Sequence, residues 1–238
     1  MRLIFKFFYN IFDNFLHKPR LKKCLLKLDL SCKNIFDVGS HNGESIDFLK
    51  SLYSDSKFYG FEPQKDCFKI LKKKYLNSRK IKILNYALGK KKEEKKMWKN
   101  VLSTTSTLSN LNNNSKHFKT KSLILGNTKA GFYTKEKVKI NTLFFFFKKF
   151  KLNELDIVKI DTEGYEIKVL LGLNKIANKI KVIIIEHNFT DYYKDYNLSA
   201  IKKFLKKNSF KNIENLKFPL MKYTDSIYIN KKFFQNKI

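Results

Sequence analysis

From residue 34 onward, short apolar runs alternate with stretches of helical periodicity, and this alternation confines the chain to an α/β architecture. Asn34–Val38 (NIFDV), Lys57–Phe61 (KFYGF), Ile81–Tyr86, Asp156–Ile160 (DIVKI) and Lys181–Ile185 (KVIII) read as strands. Runs so rich in β-branched and aromatic residues suit a parallel sheet buried on both faces. Between them, Ile46, Leu49 and Tyr53 share one helical face, and Phe68, Leu71 and Tyr75 share another on a helix opened by Pro63. A further helix runs through Ile167, Leu170 and Leu171, and one lies near Leu198–Lys206. Asn212–Lys217 and Ser226–Asn230 read as a closing strand pair.

No linker or repeat divides the chain, so residues 34–238 are expected to form one domain behind an N-terminal helical extension, residues 1–33. The stretch 90–139 breaks the rhythm. It is rich in Lys, Asn, Ser and Thr, carries Trp98, Gly126 and Gly131, and reads as an insertion, a lid or substrate loop. Disorder is the competing reading. Leu3–Leu16 (LIFKFFYNIFDNFL) is too short and too polar to cross a bilayer, which needs about 20 apolar residues. Ile4, Phe8, Ile11 and Phe15 recur at helical spacing. That face either packs on the domain or rests on a membrane, making residues 1–23 a possible peripheral contact beside Lys18, Arg20, Lys22 and Lys23.

The formal charge of +29 points toward polyanions, but its make-up weakens the inference. All but three of the 50 basic residues are lysine, the exceptions being Arg2, Arg20 and Arg79. Phosphate and base readers favour the arginine fork. A lysine background from compositional drift accounts for the charge, and no nucleic-acid partner is expected. Cys24, Cys32 and Cys67 lack paired spacing and read as free thiols of a cytoplasmic protein.

With only eight glycines in the chain, their positions carry information. Phe36-Asp37-Val38-Gly39-Ser40-His41-Asn42-Gly43-Glu44 places D-x-G-x-x-x-G between a strand and a helix, where doubly wound sheets bind nucleotide-like ligands. An acid inside the loop repels phosphates and suits a cation; S-adenosylmethionine carries a sulfonium and an ammonium. The second strand ends in Phe61-Glu62-Pro63, and Glu62 has the spacing of a carboxylate that takes ribose hydroxyls. A third strand end reads Ile160-Asp161-Thr162-Glu163-Gly164-Tyr165-Glu166. Asp37, Glu44, Glu62, Asp161, Glu163, Glu166 and Glu186 thus collect seven of 21 acids at one sheet edge. A cationic ligand fits such an edge, and a polyanion does not.

These segments, together with Asn85-Tyr86-Ala87-Leu88-Gly89 and the VIIIEHN run, resemble the FkbM family of S-adenosylmethionine-dependent methyltransferases over about residues 34–188. The resemblance implies a Rossmann-like α/β fold: a seven-stranded class I methyltransferase sheet with helices on both faces. It also implies O-methylation of a hydroxyl on a sugar, glycan or related acceptor, such as a lipid-linked oligosaccharide for a surface polysaccharide. Carried over position by position, Asp37, Gly39, Ser40, Asn42 and Gly43 hold the methionine end of the cofactor. Glu62 and Pro63 take the ribose, Asn85 and Ala87 lie near the adenine, and Asp161 and Glu163 face the methyl and acceptor side. One departure is Thr142-Leu143-Phe144, where the family shows an acid after the leucine.

Methyl transfer to a hydroxyl needs alignment and a proton acceptor. Asp161, Glu163 and His187 are the catalytic candidates, with Glu186 and His41 also considered. His187 follows the VIIIE strand and titrates in a suitable range. No resident metal is expected, although Asp161, Glu163 and Glu186 form a carboxylate set of the kind Mg²⁺ accepts. Two rival classes are a nucleic-acid methyltransferase and a non-catalytic binding module on the same fold. A steep salt slope in DNA or RNA binding would favour the first, and absence of S-adenosylmethionine binding the second.

Overall fold

The computed structural model describes residues 12–100, 105–124, 133–217 and 222–234. Among them are the strands β1 (Asn34–Val38), β2 (Lys57–Phe61), β3 (Ile81–Leu84), β4 (Ala87–Leu88), β5 (Glu93–Asn100), β6 (Tyr133–Asn141), β7 (Leu155–Ile160), β8 (Ile180–Asn188), β9 (Phe210–Lys217) and β10 (Tyr223–Asn230). Seven of these build the main sheet in the order β3-β2-β1-β7-β8-β10-β9. Its pairs are parallel except those of β10, which runs antiparallel to β8 and β9. The chain winds outward from β1 to β3, then returns to β7 on the other side of β1. That reversal opens a crevice at the carboxyl ends of β1 and β7.

Among the described residues are the helices α1 (Lys18–Lys27), α2 (Glu44–Leu52), α3 (Lys65–Lys74), α4 (Lys116–Ile124), α5 (Leu143–Lys149), α6 (Glu166–Leu171) and α7 (Leu198–Lys207). Helix α4 packs Phe118 against a separate cluster of Leu111, Tyr192 and Tyr193, and the others cover both faces of the sheet. Strand residues alternate between faces. Phe36, Val38, Val158, Ile160, Ile183 and Ile185 meet Phe146 of α5, Val169 of α6 and Leu205 of α7. Ile35, Ile157, Val182 and Ile184 meet Leu25 of α1, Ile46 of α2 and Leu71 of α3. Each fully buried side chain of this size stabilises by roughly 1.5–3 kcal/mol. The class I methyltransferase sheet expected from the sequence is the sheet observed.

Several boundaries differ from the periodicity: β8 runs past Ile185 to Asn188, and β9 and β10 start earlier than expected, at Phe210 and Tyr223. The third strand stops at Leu84 because Asn85 and Tyr86 turn into β4. Helix α3 starts after Gln64 rather than at Pro63, and it buries Cys67 with Leu71 while Phe68 stays half-buried.

The region 90–139 carries more order than its composition suggested. β5 and β6 pair antiparallel, and β4 joins them in a second, three-stranded sheet. Met97, Val138 and Ile140 point into a small core with Ala87, Leu108 and Tyr165. Lysines occupy the outward positions and mask the strand pattern; one of them, Lys135, lies over the Trp98 ring. Gly126 and Gly131 lie outside the described residues, as does the apolar run up to Ile11. A π-helical turn, Asp13–His17, leads into α1, whose Leu21 and Leu25 are buried.

Candidate active site

The crevice is framed by three strand ends. At the first, Gly39 and Ser40 donate their backbone N–H groups to the Phe61 carbonyl, tying the loop after β1 to β2. Gly39 adopts φ +89°, and a Cβ there would overlap the backbone carbonyl of Asp161. Only glycine lets β1 and β7 approach so closely at that turn. Gly43 (φ +81°) starts α2 beneath the Tyr75 hydroxyl, which donates to its carbonyl. Ser40 is buried, with its hydroxyl donating to the Asp37 carbonyl at 3.0 Å; Asn42 is exposed.

Asp37 is 0% exposed, and neither carboxylate oxygen has a hydrogen-bond partner among the described residues. Burial raises its pKa, against the neighbouring charge of Lys159. An unpaired buried carboxylate is costly, and the usual remedy is a ligand or a cation.

At the second strand end, the buried Glu62 accepts the N–H of His41 at 2.8 Å and that of Gln64 at 2.7 Å. Burial pushes its carboxyl up to about 7, although those two bonds favour the charged form. The Asn85 side chain donates to the carbonyls of Glu62 and Pro63, both at 2.9 Å, and so braces this turn. Ala87 is packed in the small core.

The third strand end is organised by Glu166. One of its oxygens accepts from the N–H and hydroxyl of Thr162 and from the N–H of Gly164, all at 3.0–3.1 Å. Burial holds its carboxyl up at about 7. The turn it shapes leaves Glu163 at φ +52°, with its carboxylate hydrogen-bonded to the Tyr193 hydroxyl. The second sheet clamps the same turn. Thr107 donates to the Glu163 carbonyl at 2.5 Å, and Ser109 donates to the Gly164 carbonyl at 2.6 Å.

Acids then converge. One oxygen each from Asp161, Glu163 and Glu186 lies within 4.8 Å of the others. Burial first, then the charges of Asp161 and Glu163, raises Glu186 well above the usual carboxylate range. An all-carboxylate trio has donors suited to a hard divalent cation. Part of the positive charge is already supplied by Lys159, whose ammonium lies 2.8 Å from Asp161.

The Methyltransferase FkbM domain matches residues 37–212, which include all three strand ends. The chain belongs to the FkbM methyltransferase family. As such it is an S-adenosylmethionine-dependent methyltransferase. Among solved structures, this FkbM protein is similar to an S-adenosylmethionine-dependent methyltransferase from Clostridium acetobutylicum at 10% identity and a TM-score of 0.47. That match covers 95% of this chain and 98% of the other. A putative RNA methyltransferase from Pyrococcus horikoshii matches at 12% identity and a TM-score of 0.47, covering 90% and 83% of the two chains. A precorrin-6y C5,15-methyltransferase from Geobacter metallireducens matches at 11% identity and 0.42, covering 88% and 87%. A comparison with curated proteins returns no match.

The residues of this FkbM domain fit the cofactor. Asp37 offers two unpaired oxygens to a cationic group, and Glu62 presents a carboxylate already oriented by two amides. Of the three catalytic candidates, the structure brings Asp161 and Glu163 together and leaves His187 apart. His187 is 2% exposed, with Nε2 at 3.0 Å from the Tyr228 hydroxyl and Nδ1 at 3.3 Å from that of Tyr196. Burial lowers its pKa to about 4. It follows Glu186 in β8, so the pleat turns it to the opposite face of the sheet. Lys159, Asp225 and Tyr193 are the residues at this edge that the motifs did not point to. Asp225 stands opposite Glu186 in the β8–β10 register, and Lys159 stands beside Asp37 in the β1–β7 register.

Proposed function

We propose that the protein transfers a methyl group from S-adenosylmethionine to a hydroxyl of a sugar, glycan or lipid-linked oligosaccharide. The observation that carries this reading is the convergence of Asp161, Glu163 and Glu186 beside the glycine loop. A polyol acceptor offers several hydroxyls, and carboxylates accept hydrogen bonds from all of them. When bound, S-adenosylmethionine supplies an electrophilic methyl carbon. Asp37 and the loop Gly39–Gly43 hold its cationic methionine end, and Glu62 takes the ribose. Asp161 aligns the acceptor hydroxyl, and Glu186 takes its proton. Burial and the neighbouring acids raise the Glu186 pKa, which makes its carboxylate the stronger base, and a positioned base contributes about 10²–10⁴ in rate.

Labelled S-adenosylmethionine, offered with a panel of nucleotide sugars, glycans, lipid-linked oligosaccharides and RNA, tests the acceptor class. Label in a carbohydrate is the expected result, and label confined to RNA overturns it. Glu62→Ala tests the cofactor assignment. Hydrogen bonds to a charged group are worth roughly 1.5–3 kcal/mol, so calorimetry should find S-adenosylmethionine binding about 10–150-fold weaker.

The reading extends to membrane contact at the N-terminal segment. Phe15 is 75% exposed and Leu16 50% exposed, close to the exposed Lys22 and Lys23 of α1. Apolar side chains beside lysines suit an anionic lipid surface, where a lipid-linked acceptor resides. Flotation with vesicles containing phosphatidylglycerol should carry the protein upward at low salt. Phe15→Glu combined with Leu16→Glu should leave it at the bottom, and equal flotation of both proteins removes this extension.

A further inference from the structure

The matched family residues run from 37 to 212, yet two side chains from outside that span reach the edge that carries the acids. Asp225 lies on β10, and His17 closes the turn before α1. His17 Nε2 sits 3.1 Å from the Asp225 carboxylate, and its Nδ1 is 3.4 Å from Asp13. Lys18 pairs with the other oxygen of Asp13 at 2.7 Å. On β7, Lys159 has its ammonium 2.8 Å from Asp161, and its side chain is 12% exposed.

Strand register puts these groups on one face. Asp37 is the neighbour of Lys159 in β1, and Asp225 is the partner of Glu186 across β8 and β10. Lys159 is one pleat behind Asp161 on the same strand, so its ammonium lies under the acids rather than in front of them. Charges consequently alternate in sign along the series Lys18, Asp13, His17, Asp225, Lys159, Asp161.

We propose that this chain of alternating charges, with Lys159 as the positioning residue, holds Asp161 in the orientation used for methyl transfer. The proposal rests on the methyltransferase reading given above. Two observations point beyond simple stability. First, enclosing an ammonium costs several kcal/mol, and a buried ion pair is weak grounds for stability against an apolar side chain of similar size. Ile157, two residues earlier on the same face, shows that an apolar residue packs there. Second, Lys159 is surrounded by Asp37, Asp161 and Asp225, whose charges raise its pKa in spite of its burial. Without a cation in that place, Asp161 would face Glu163, Glu186 and Asp37 uncompensated. It would turn away from them, and in that orientation it would no longer align a hydroxyl. With Lys159 holding one oxygen, the carboxylate presents its other oxygen in one direction. His17 acts at one remove: it keeps Asp225 charged, and Asp225 in turn keeps Lys159 in line.

Lys159→Met and Lys159→Arg are the direct test, with Lys181→Met as control. Lys181 is also a lysine paired with an acid, Asp156 at 2.7 Å, but at the amino end of β8, away from the strand ends that frame the crevice. For Lys159→Met, kcat on the acceptor that takes label should fall at least 100-fold, with KM for that acceptor changed less than fivefold. Lys159→Arg should recover to within tenfold of the wild type, and Lys181→Met should keep wild-type kcat. His17→Gln should lower kcat by about three- to tenfold while the protein stays folded by circular dichroism. Crystals of Lys159→Met with S-adenosylhomocysteine should show Asp161 in a different rotamer. An unchanged kcat in Lys159→Met, or an unmoved Asp161, overturns the positioning role. If Lys159→Met fails to fold, His17→Gln decides, and wild-type kcat in that variant overturns the proposal. Failure of the wild-type protein to bind S-adenosylmethionine is a separate result and removes the methyltransferase reading itself.

Discussion

A Gly39→Ala protein will lose measurable S-adenosylmethionine binding and unfold at a lower temperature. Two costs add at this position. The left-handed φ of +89° penalises any side chain by about 1–2 kcal/mol. The added methyl also overlaps the Asp161 carbonyl, which is backbone and has no rotamer to yield. Relief requires β1 and β7 to part at their carboxyl ends, where Asp161 donates its N–H to the Val38 carbonyl at 3.0 Å. A combined loss of about 3 kcal/mol lowers the midpoint of a domain this size by roughly 6–12 °C. Differential scanning calorimetry checks the midpoint, and titration with S-adenosylhomocysteine checks the site. A variant that binds as tightly as the wild type would show that the loop can move without consequence.

Asp37→Asn should separate two properties that usually fall together. The apoprotein carries a fully buried carboxylate with no hydrogen-bond partner. Replacing it with a neutral isostere removes a buried charge that has only the neighbouring Lys159 for compensation, so the apoprotein should be at least as stable in urea. Cofactor binding should weaken by about 10–150-fold, because the cationic methionine end loses its charged partner. A stability loss with unchanged affinity would instead assign Asp37 to the fold. The expected pair of opposite changes is the signature of a group retained for a ligand.

The sheet was legible because its strands are apolar on both faces, and the cofactor edge was legible because glycines and acids are rare in this lysine-rich chain. Asp37, Gly39 and Glu62 each stand at a strand end followed by a helix, and that position alone predicts a crevice. What the sequence hid was register. Lys159 is one lysine among many, and nothing local shows that it lies beside Asp37. Asp225 and His17 approach the edge only after the chain has closed. His187 was misleading for a simpler reason. Strand β8 runs three residues past Ile185, and pleat parity puts Glu186 among the acids while His187 joins the tyrosines. Counting parity from Ile183 and Ile185 would have separated the two. The strands of the second sheet were concealed by lysines on their outward face, although Val138 and Ile140 already alternate with Lys137 and Lys139.

Thr107 and Ser109 fasten the second sheet to the turn that carries Glu163 and Gly164, through two short hydrogen bonds to main-chain carbonyls. The turn therefore cannot open by itself. Any excursion that frees Glu163 must also detach the loop that follows β5, so amide exchange at 162–166 and at 105–109 should share one rate and one opening free energy. Lineage-specific change in the 90–139 region would then retune how often Glu163 leaves its place in the turn without altering any of the acids.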